Sequence, residues 1–347
     1  MPHNPYTLTF GKSPEQIIER LSQMNEVISV FRNEPPAQQA YIITGVRGSG
    51  KTVFMTEVTK RLDKWTDWIT VELNPERDML TGLAAKLSSE NEFARIFRNA
   101  KINLSFFGFG MEVQGEAPIT DIEVALGRML SSLKKHGKKV LIAVDEVVNS
   151  KTMREFAHAF QILLRQDLPV YLIMTGLYDN IYSLQNEKTL TFLYRAPKIH
   201  LAPLSIGTVA DNYSQTMQIP KETALEMARL TKGYPFAFQV LGYHTFENGG
   251  NYSRALPLYK QYLEEYVYEK IWSELSDTDQ RVLSAMSRTQ TCRIADIREE
   301  LGMSTNQFNP YRARLIRKGI VNGEKYGYLR FALPLFEEFV QEQGYEL

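Results

Sequence analysis

Apolar residues gather into short runs along the first 205 positions: 40–44, 68–73, 140–144, 170–176 and 199–201. The runs are rich in β-branched side chains and are nearly continuous rather than alternating, the pattern of strands buried on both faces. Between them apolar positions recur at helical spacing, as at Val53, Phe54, Val58 and Leu62. Helices are predicted over 14–31, 53–62, 78–88 and 119–136. The first takes Ser13 as its N-cap and Pro14 as its first helical residue. The last ends in Lys134-Lys135-His136-Gly137, a composition suited to a helix C-terminus. Strands alternating with helices predict an α/β unit with a largely parallel sheet.

From position 206 the period is helical throughout. Segments 206–217, 221–231, 235–246 and 254–273 predict a small helical bundle. A last module follows, with helices over 277–286, 293–301 and 305–318. Gly302 stands after the second, Ser304 caps the third and Gly319 closes it. Residues 320–331 predict a hairpin with Asn322-Gly323 at its turn. Three helices and a hairpin describe a winged helix-turn-helix. Two stretches stand outside this plan. Residues 1–12 predict an extended arm. Residues 103–115 alternate apolar and small residues around glycines and predict an inserted β-hairpin. Its Phe106, Phe107 and Phe109 suit either base stacking or packing on the domain surface, and packing is the favoured reading.

Composition changes this picture little. A chain of 347 residues predicts two or three domains. The content, 44% hydrophobic and 23% charged with zero formal net charge, announces no nucleic-acid binder, so that case rests on local patches. A single cysteine, Cys292, excludes an intramolecular disulfide and is expected as a small core residue. The five histidines lack metal-ligand spacing, so no zinc site is expected. The N-terminus lacks a signal-peptide pattern and no apolar run is long enough for a bilayer, which predicts a cytoplasmic protein without membrane contact.

The chemistry concentrates in Gly45-Val46-Arg47-Gly48-Ser49-Gly50-Lys51-Thr52, which fits G-x-x-x-x-G-K-[ST] between a predicted strand and a predicted helix. The glycines let backbone N–H groups approach an anion, and the helix that runs on through Val53 points its positive end at the same place. Lys51 supplies a charge for the outer phosphates, and the Thr52 hydroxyl is placed for Mg²⁺. A second acidic motif, Asp145-Glu146, ends the 140–144 strand. Asp145 is the expected Mg²⁺ ligand, and Glu146 the expected base that orients the attacking water. The cofactors so predicted are ATP or ADP and Mg²⁺.

With these motifs, the chain resembles the AAA+ ATPases of the origin-recognition and replication-initiator type, above all bacterial ATP-binding members that end in a winged helix. The likeness runs from Asn4-Pro5-Tyr6-Thr7-Leu8-Thr9-Phe10-Gly11 through both acidic and phosphate motifs, Leu201-Ala202-Pro203-Leu204-Ser205 and Thr231-Lys232-Gly233-Tyr234-Pro235-Phe236, to Tyr311-Arg312-Ala313-Arg314-Leu315. It implies a P-loop AAA+ core over 1–205, a helical lid over 206–273 and a winged-helix domain over 274–347. It further implies that Gly233-Tyr234-Pro235 sits in the helical lid and touches the nucleotide, with Pro235 as its binding residue, that Thr175 is the polar sensor, and that Arg195 is an arginine finger toward a neighbouring subunit. Thr175 replaces the asparagine of many members, no arginine adjoins Gly233-Tyr234-Pro235, and Val147-Val148 follows the acidic pair. These departures weigh against fast hydrolysis rather than against binding.

Between Arg312 and Arg330 stand six basic residues and one acid, Glu324. Asn306, Gln307, Asn309 and Arg312 occupy the first half of the third helix, where base contacts arise, while Arg314, Lys318 and Arg330 extend the basic stripe. Double-stranded DNA is the expected partner, beside a homo-oligomer or a protein. Two alternatives stay open. One is a signalling or scaffold ATPase of the STAND type, which shares the Gly-x-Pro segment and whose winged helix binds protein. The other is a nucleotide-binding protein without significant turnover.

Overall fold

A computed structural model describes residues 3–9, 14–289 and 291–344, with the Thr191 side chain set aside. The chain divides into two compact units. One comprises Arg20–Thr44 and Lys51–His200; the other comprises Met1–Glu19, Gly45–Gly50 and Leu201–Leu347.

The first unit is built on five parallel strands: β1 (Ala40–Thr44), β2 (Trp68–Leu73), β3 (Lys139–Val144), β4 (Val170–Gly176) and β5 (Lys198–His200). Their order across the sheet is β2-β3-β4-β1-β5. The inner strands are apolar along their length because helices cover both faces: β1 and β4 are buried at every position. The edges are not, and Glu72 and Lys198 reach solvent there. The register sets Ile43 beside Thr175 and Val144 beside Met174. The ends of β1, β3 and β4 therefore meet, which is where open α/β sheets bind ligands. The expected helices appear as Lys51–Leu62, Met79–Ser89 and Ile122–Lys135, the second and third capped by Asp78 and Asp121.

The second unit is mostly helical. Helices Ile206–Met217, Lys221–Leu230, Pro235–Glu247 and Tyr252–Leu263 come first. Tyr252–Leu263 runs through a π-helical stretch, Glu264–Tyr268, into Glu269–Ser273, so the long helix expected over 254–273 changes its winding midway. Helices Asp277–Arg288, Ile294–Leu301 and Thr305–Arg317 follow, and Phe336–Gln343 closes the chain. Ser304 caps the third of these in a capping box with Gln307, as expected. One buried cluster serves the unit, from Tyr6 and Val209 through Tyr268 to Phe336 and Val340.

The arm docks on this same unit. Tyr6 is buried against Tyr213 and Phe238 and donates to Asn212 Oδ1 at 3.0 Å. Asn4 donates to the Tyr243 carbonyl and to Glu247.

Four expectations need correction. The first helix begins at Leu21, not Pro14. The Gln16 carbonyl accepts from Gln239 at 2.7 Å and its side chain accepts from Asn212 at 2.7 Å, tertiary bonds that hold the segment extended. The expected cap, Ser13, lies outside the described residues. Residues 103–115 hold no strand but a 3₁₀ turn, Ser105–Phe107. There Asn103 accepts from the Ser105 N–H and donates to the Glu116 carbonyl, closing the loop by side chain instead of by a ladder. Phe107 and Phe109 pack on the first unit's core while Phe106 stays exposed. The last hairpin pairs only β6 (Val321–Asn322) with β7 (Arg330–Phe331). Its tip turn runs from Lys325 to Tyr328, closed by the Tyr328 N–H on the Lys325 carbonyl at 3.0 Å, with Gly327 at φ 79°. Asn322 instead accepts from the Glu324 N–H. Finally, Cys292 is half-buried at φ 55° in a turn, not a core position.

Candidate functional site

Within the sheet unit, four of the expected residues converge. Thr52, in the first turn of Lys51–Leu62, donates its hydroxyl to Asp145 Oδ2 at 2.7 Å. Thr175, near the end of β4, donates to Asp145 Oδ1. Both carboxylate oxygens are thus held by hydroxyls, one from the helix after β1 and one from the neighbouring strand. Adjacent ligands of an octahedral Mg²⁺ lie about 3.0 Å apart, given bonds of roughly 2.1 Å. The Thr52 and Asp145 oxygens are spaced near that value, and both are hard donors, so the pair fits this ion. No group of three or more His, Cys, Asp or Glu side chains forms a metal cage among the described residues.

Glu146 follows Asp145 at φ 51°, the left-handed region that a side chain disfavours. The conformation is held by its N–H, which donates to Thr175 Oγ1 and Asp145 Oδ1 at 3.1 Å each. Its side chain is exposed. Strain of this kind is typical of functional positions. Thr175 is fully buried, and its hydroxyl serves Asp145 and the Glu146 amide. Lys51 is buried at 9% exposure, rare for a lysine. At the ends of β1 and β5, Thr44 Oγ1 and His200 Nδ1 lie 2.6 Å apart, and burial, with Lys198 nearby, pushes the imidazole down from its usual pKa. Arg195 is exposed at the end of a short helix, Thr191–Tyr194.

The first six residues of the phosphate motif, Gly45–Gly50, belong to the helical unit. The Ser49 N–H closes a turn on the Val46 carbonyl at 3.1 Å. Arg47 pairs with Glu274 at 3.0 Å, and its carbonyl accepts from the Tyr234 hydroxyl. The Phe236 N–H donates to the Gly48 carbonyl at 3.2 Å. Pro235 is the first residue of its helix. Sequence reasoning placed Tyr234 in the segment Gly233-Tyr234-Pro235 and singled out Pro235, but it did not foresee the Tyr234 bond to the loop. Its only signal was position within that segment, because an aromatic residue there reads equally as core.

In the last module the expected contact residues separate into two kinds. Asn306, Gln307, Asn309 and Arg330 are exposed. Arg314 instead pairs with the buried Asp279 at 2.8 Å, donates to Ser276 and stacks on Tyr311. Gln307 spends its side-chain carbonyl on the Ser304 N–H. Arg312 is half-buried, with its Nε lacking a hydrogen-bond partner. Lys318 is half-buried.

Residues 17–168 match the family model described as an ATPase domain predominantly from Archaea. Residues 265–340 match a domain of unknown function. No curated protein matches the chain. Among solved structures, a Walker-type ATPase of Pyrococcus abyssi superposes with a TM-score of 0.66 at 17% identity, covering 94% of this chain and 96% of that one. The ORC2 protein of Aeropyrum pernix, in its ADP form, gives 0.52 at 14% identity, covering 96% and 97%. At such identities the likeness is one of fold. The protein has the α/β P-loop NTPase fold with a mostly helical C-terminal region, and it carries an ATPase-type domain. No helix among the described residues is long and apolar enough to cross a membrane.

Proposed function

We propose that this protein binds ATP with Mg²⁺ and hydrolyses it slowly as a conformational switch of the AAA+ origin-recognition type, in the cytoplasm. The observation that carries the reading is the Thr52–Asp145 contact, which joins the helix after the phosphate motif to the tip of β3 at 2.7 Å. Gly45 through Val53 hold the phosphates, with Lys51 as the charge on the outer ones. Thr52 and Asp145 would hold Mg²⁺, which when bound neutralises phosphate charge. Thr175 orients Asp145, and Glu146 orients the attacking water. Pro235 touches the nucleotide, and Arg195, exposed, reaches a neighbouring copy. The proposed division is an ATPase core over 1–205, a lid over 206–273 and a winged helix over 274–347.

Thermal shift and ATPase assays on wild type, Lys51→Ala and Glu146→Gln test this. ATP·Mg²⁺ should stabilise wild type and Glu146→Gln by roughly 2.7 kcal/mol at about 100 times its Kd. It should leave Lys51→Ala unmoved, and only wild type should turn over. Stabilisation of Lys51→Ala equal to wild type would sink the assignment.

The output of the switch is double-stranded DNA binding through Asn306, Gln307, Asn309, Arg312, Lys318 and Arg330. With its three cationic members on phosphates, log K should fall against log salt with a slope of about −2.7. A second reading, in which the module binds protein, is favoured by one observation: Arg314 and Gln307 are already committed to the module's own structure. Duplex binding absent at low salt, with ATP-dependent oligomers present, would select it.

A further inference from the structure

We propose that Tyr234 is a positioning residue for the phosphate-binding loop: its hydroxyl fixes the loop's peptide orientation and so sets the protein's affinity for the phosphates of a nucleotide. The proposal rests on the nucleotide-binding reading and adds a residue and a grip to it.

Tyr234 is 4% exposed and lies at the N-cap of Pro235–Glu247. Its hydroxyl donates to the Arg47 carbonyl. Two residues on, the Phe236 N–H donates to the Gly48 carbonyl at 3.2 Å. Two successive loop carbonyls are therefore taken by two donors from one helix start. A peptide unit is planar and trans, so its N–H points opposite its C=O. Holding the Arg47 carbonyl turns the Gly48 N–H away from Tyr234, and holding the Gly48 carbonyl fixes the peptide whose N–H, on Ser49, closes the turn on the Val46 carbonyl. An anion-binding loop needs its amides on the side opposite its held carbonyls.

The fit is close. Gly48 sits at φ 75°, and a Cβ there would fall 2.2 Å from Tyr234 Oη and 3.0 Å from Phe236 Cβ. Only glycine lets the ring come this near. The backbone that carries the ring is held as well. The Tyr234 N–H donates to the Thr231 carbonyl at 2.8 Å. Gly233, at φ 72°, leaves no room for a side chain, because a Cβ would lie 2.3 Å from the Leu204 carbonyl. Burial raises the Tyr234 hydroxyl well above the phenol range, against the opposing pull of Arg47, so it stays a neutral donor at working pH. A buried phenol needs a partner, and here the partner is a loop carbonyl rather than a residue of its own helix bundle.

Tyr234→Phe removes only the oxygen and keeps the ring. The test titrates wild type and Tyr234→Phe with ADP, with tripolyphosphate and with adenosine. One lost neutral hydrogen bond should weaken ADP and tripolyphosphate binding roughly 3- to 10-fold. Adenosine, which has no phosphate, should bind both proteins alike. A general structural defect would weaken all three together, and that result, or ADP affinity equal within twofold, overturns the proposal. If wild type itself binds neither ADP nor tripolyphosphate, the nucleotide reading has failed, a distinct outcome that removes the proposal with it. A second measurement leaves the chain unaltered. Phosphate binding and the grip on the loop are linked reciprocally, so ADP should slow hydrogen exchange at the Phe236 amide in wild type. Exchange there unchanged by saturating ADP also overturns it.

Discussion

At the scale of single residues, Asp145 and Glu146 divide the work between geometry and strain. Asp145 has each oxygen fixed by a threonine hydroxyl, Thr52 on one and Thr175 on the other. Glu146 is held at φ 51° by hydrogen bonds to its amide. A left-handed residue with a side chain costs about 1–2 kcal/mol, while glycine carries an unfolded-state entropy cost of roughly 0.5–1 kcal/mol. Glu146→Gly should therefore leave stability unchanged or raise it by up to about 1.5 kcal/mol, and it should abolish turnover. Urea unfolding beside an ATPase assay reads both quantities. A loss above 1 kcal/mol would mean the side chain itself stabilises the fold. The sequence announced these residues by motif but not their conformation, because φ at position 146 is set by Thr175 on a strand far along the chain.

At the scale of elements, legibility followed burial. β1 and β4 could be read because both faces are covered and their apolar runs are unbroken. The segment 103–115 was misread because its alternation looked like a ladder, whereas the Asn103 side chain closes it as a loop. The start of the first helix was misread because Gln16 answers to Asn212 and Gln239, partners invisible at short range. The last module holds a similar trap. Arg314 belongs to the basic stripe by sequence, yet it neutralises Asp279, which is 1% exposed. Removing one member of such a pair leaves a buried charge, and Arg314 is itself partly exposed, so Arg314→Ala should destabilise by about 2 kcal/mol. Arg330→Ala, at an exposed position, should change stability by less than about 0.5 kcal/mol. Thermal melts of the two variants check this. A DNA-binding loss in Arg314→Ala would then report unfolding, so Arg330 is the site on which the DNA reading should be judged. Equal melts for both would restore Arg314 as a candidate contact.

At the scale of the whole molecule, the chain returns to the helical unit for Gly45–Gly50 before resuming the sheet unit at Lys51. A sequence motif reads as one object, and periodicity cannot tell that Gly45–Gly50 and Lys51-Thr52 belong to different compact bodies. The arm shows the same limit: nothing local marks Tyr6 as core, yet it is 2% exposed. Stability varies with pH through groups whose pKa differs between the folded and unfolded chain. His244 is 7% exposed between the rings of Tyr243 and Tyr262, with its Nε2 lacking a hydrogen-bond partner. Burial pushes its pKa below the usual histidine value, against a weaker opposite pull from Glu247. A depressed imidazole pKa means the unfolded chain takes up the proton first. Its contribution is fully present above an unfolded pKa of about 6.5 and is lost as pH falls below that toward the folded value. Stability should therefore fall between pH 7 and pH 5.5, and His244→Phe, which keeps a ring between the tyrosines, should flatten that fall. Urea midpoints at the two pH values decide it. An equally steep fall in the variant would assign the slope to other groups, His200 first, whose imidazole is depressed by burial and Lys198 in the same direction.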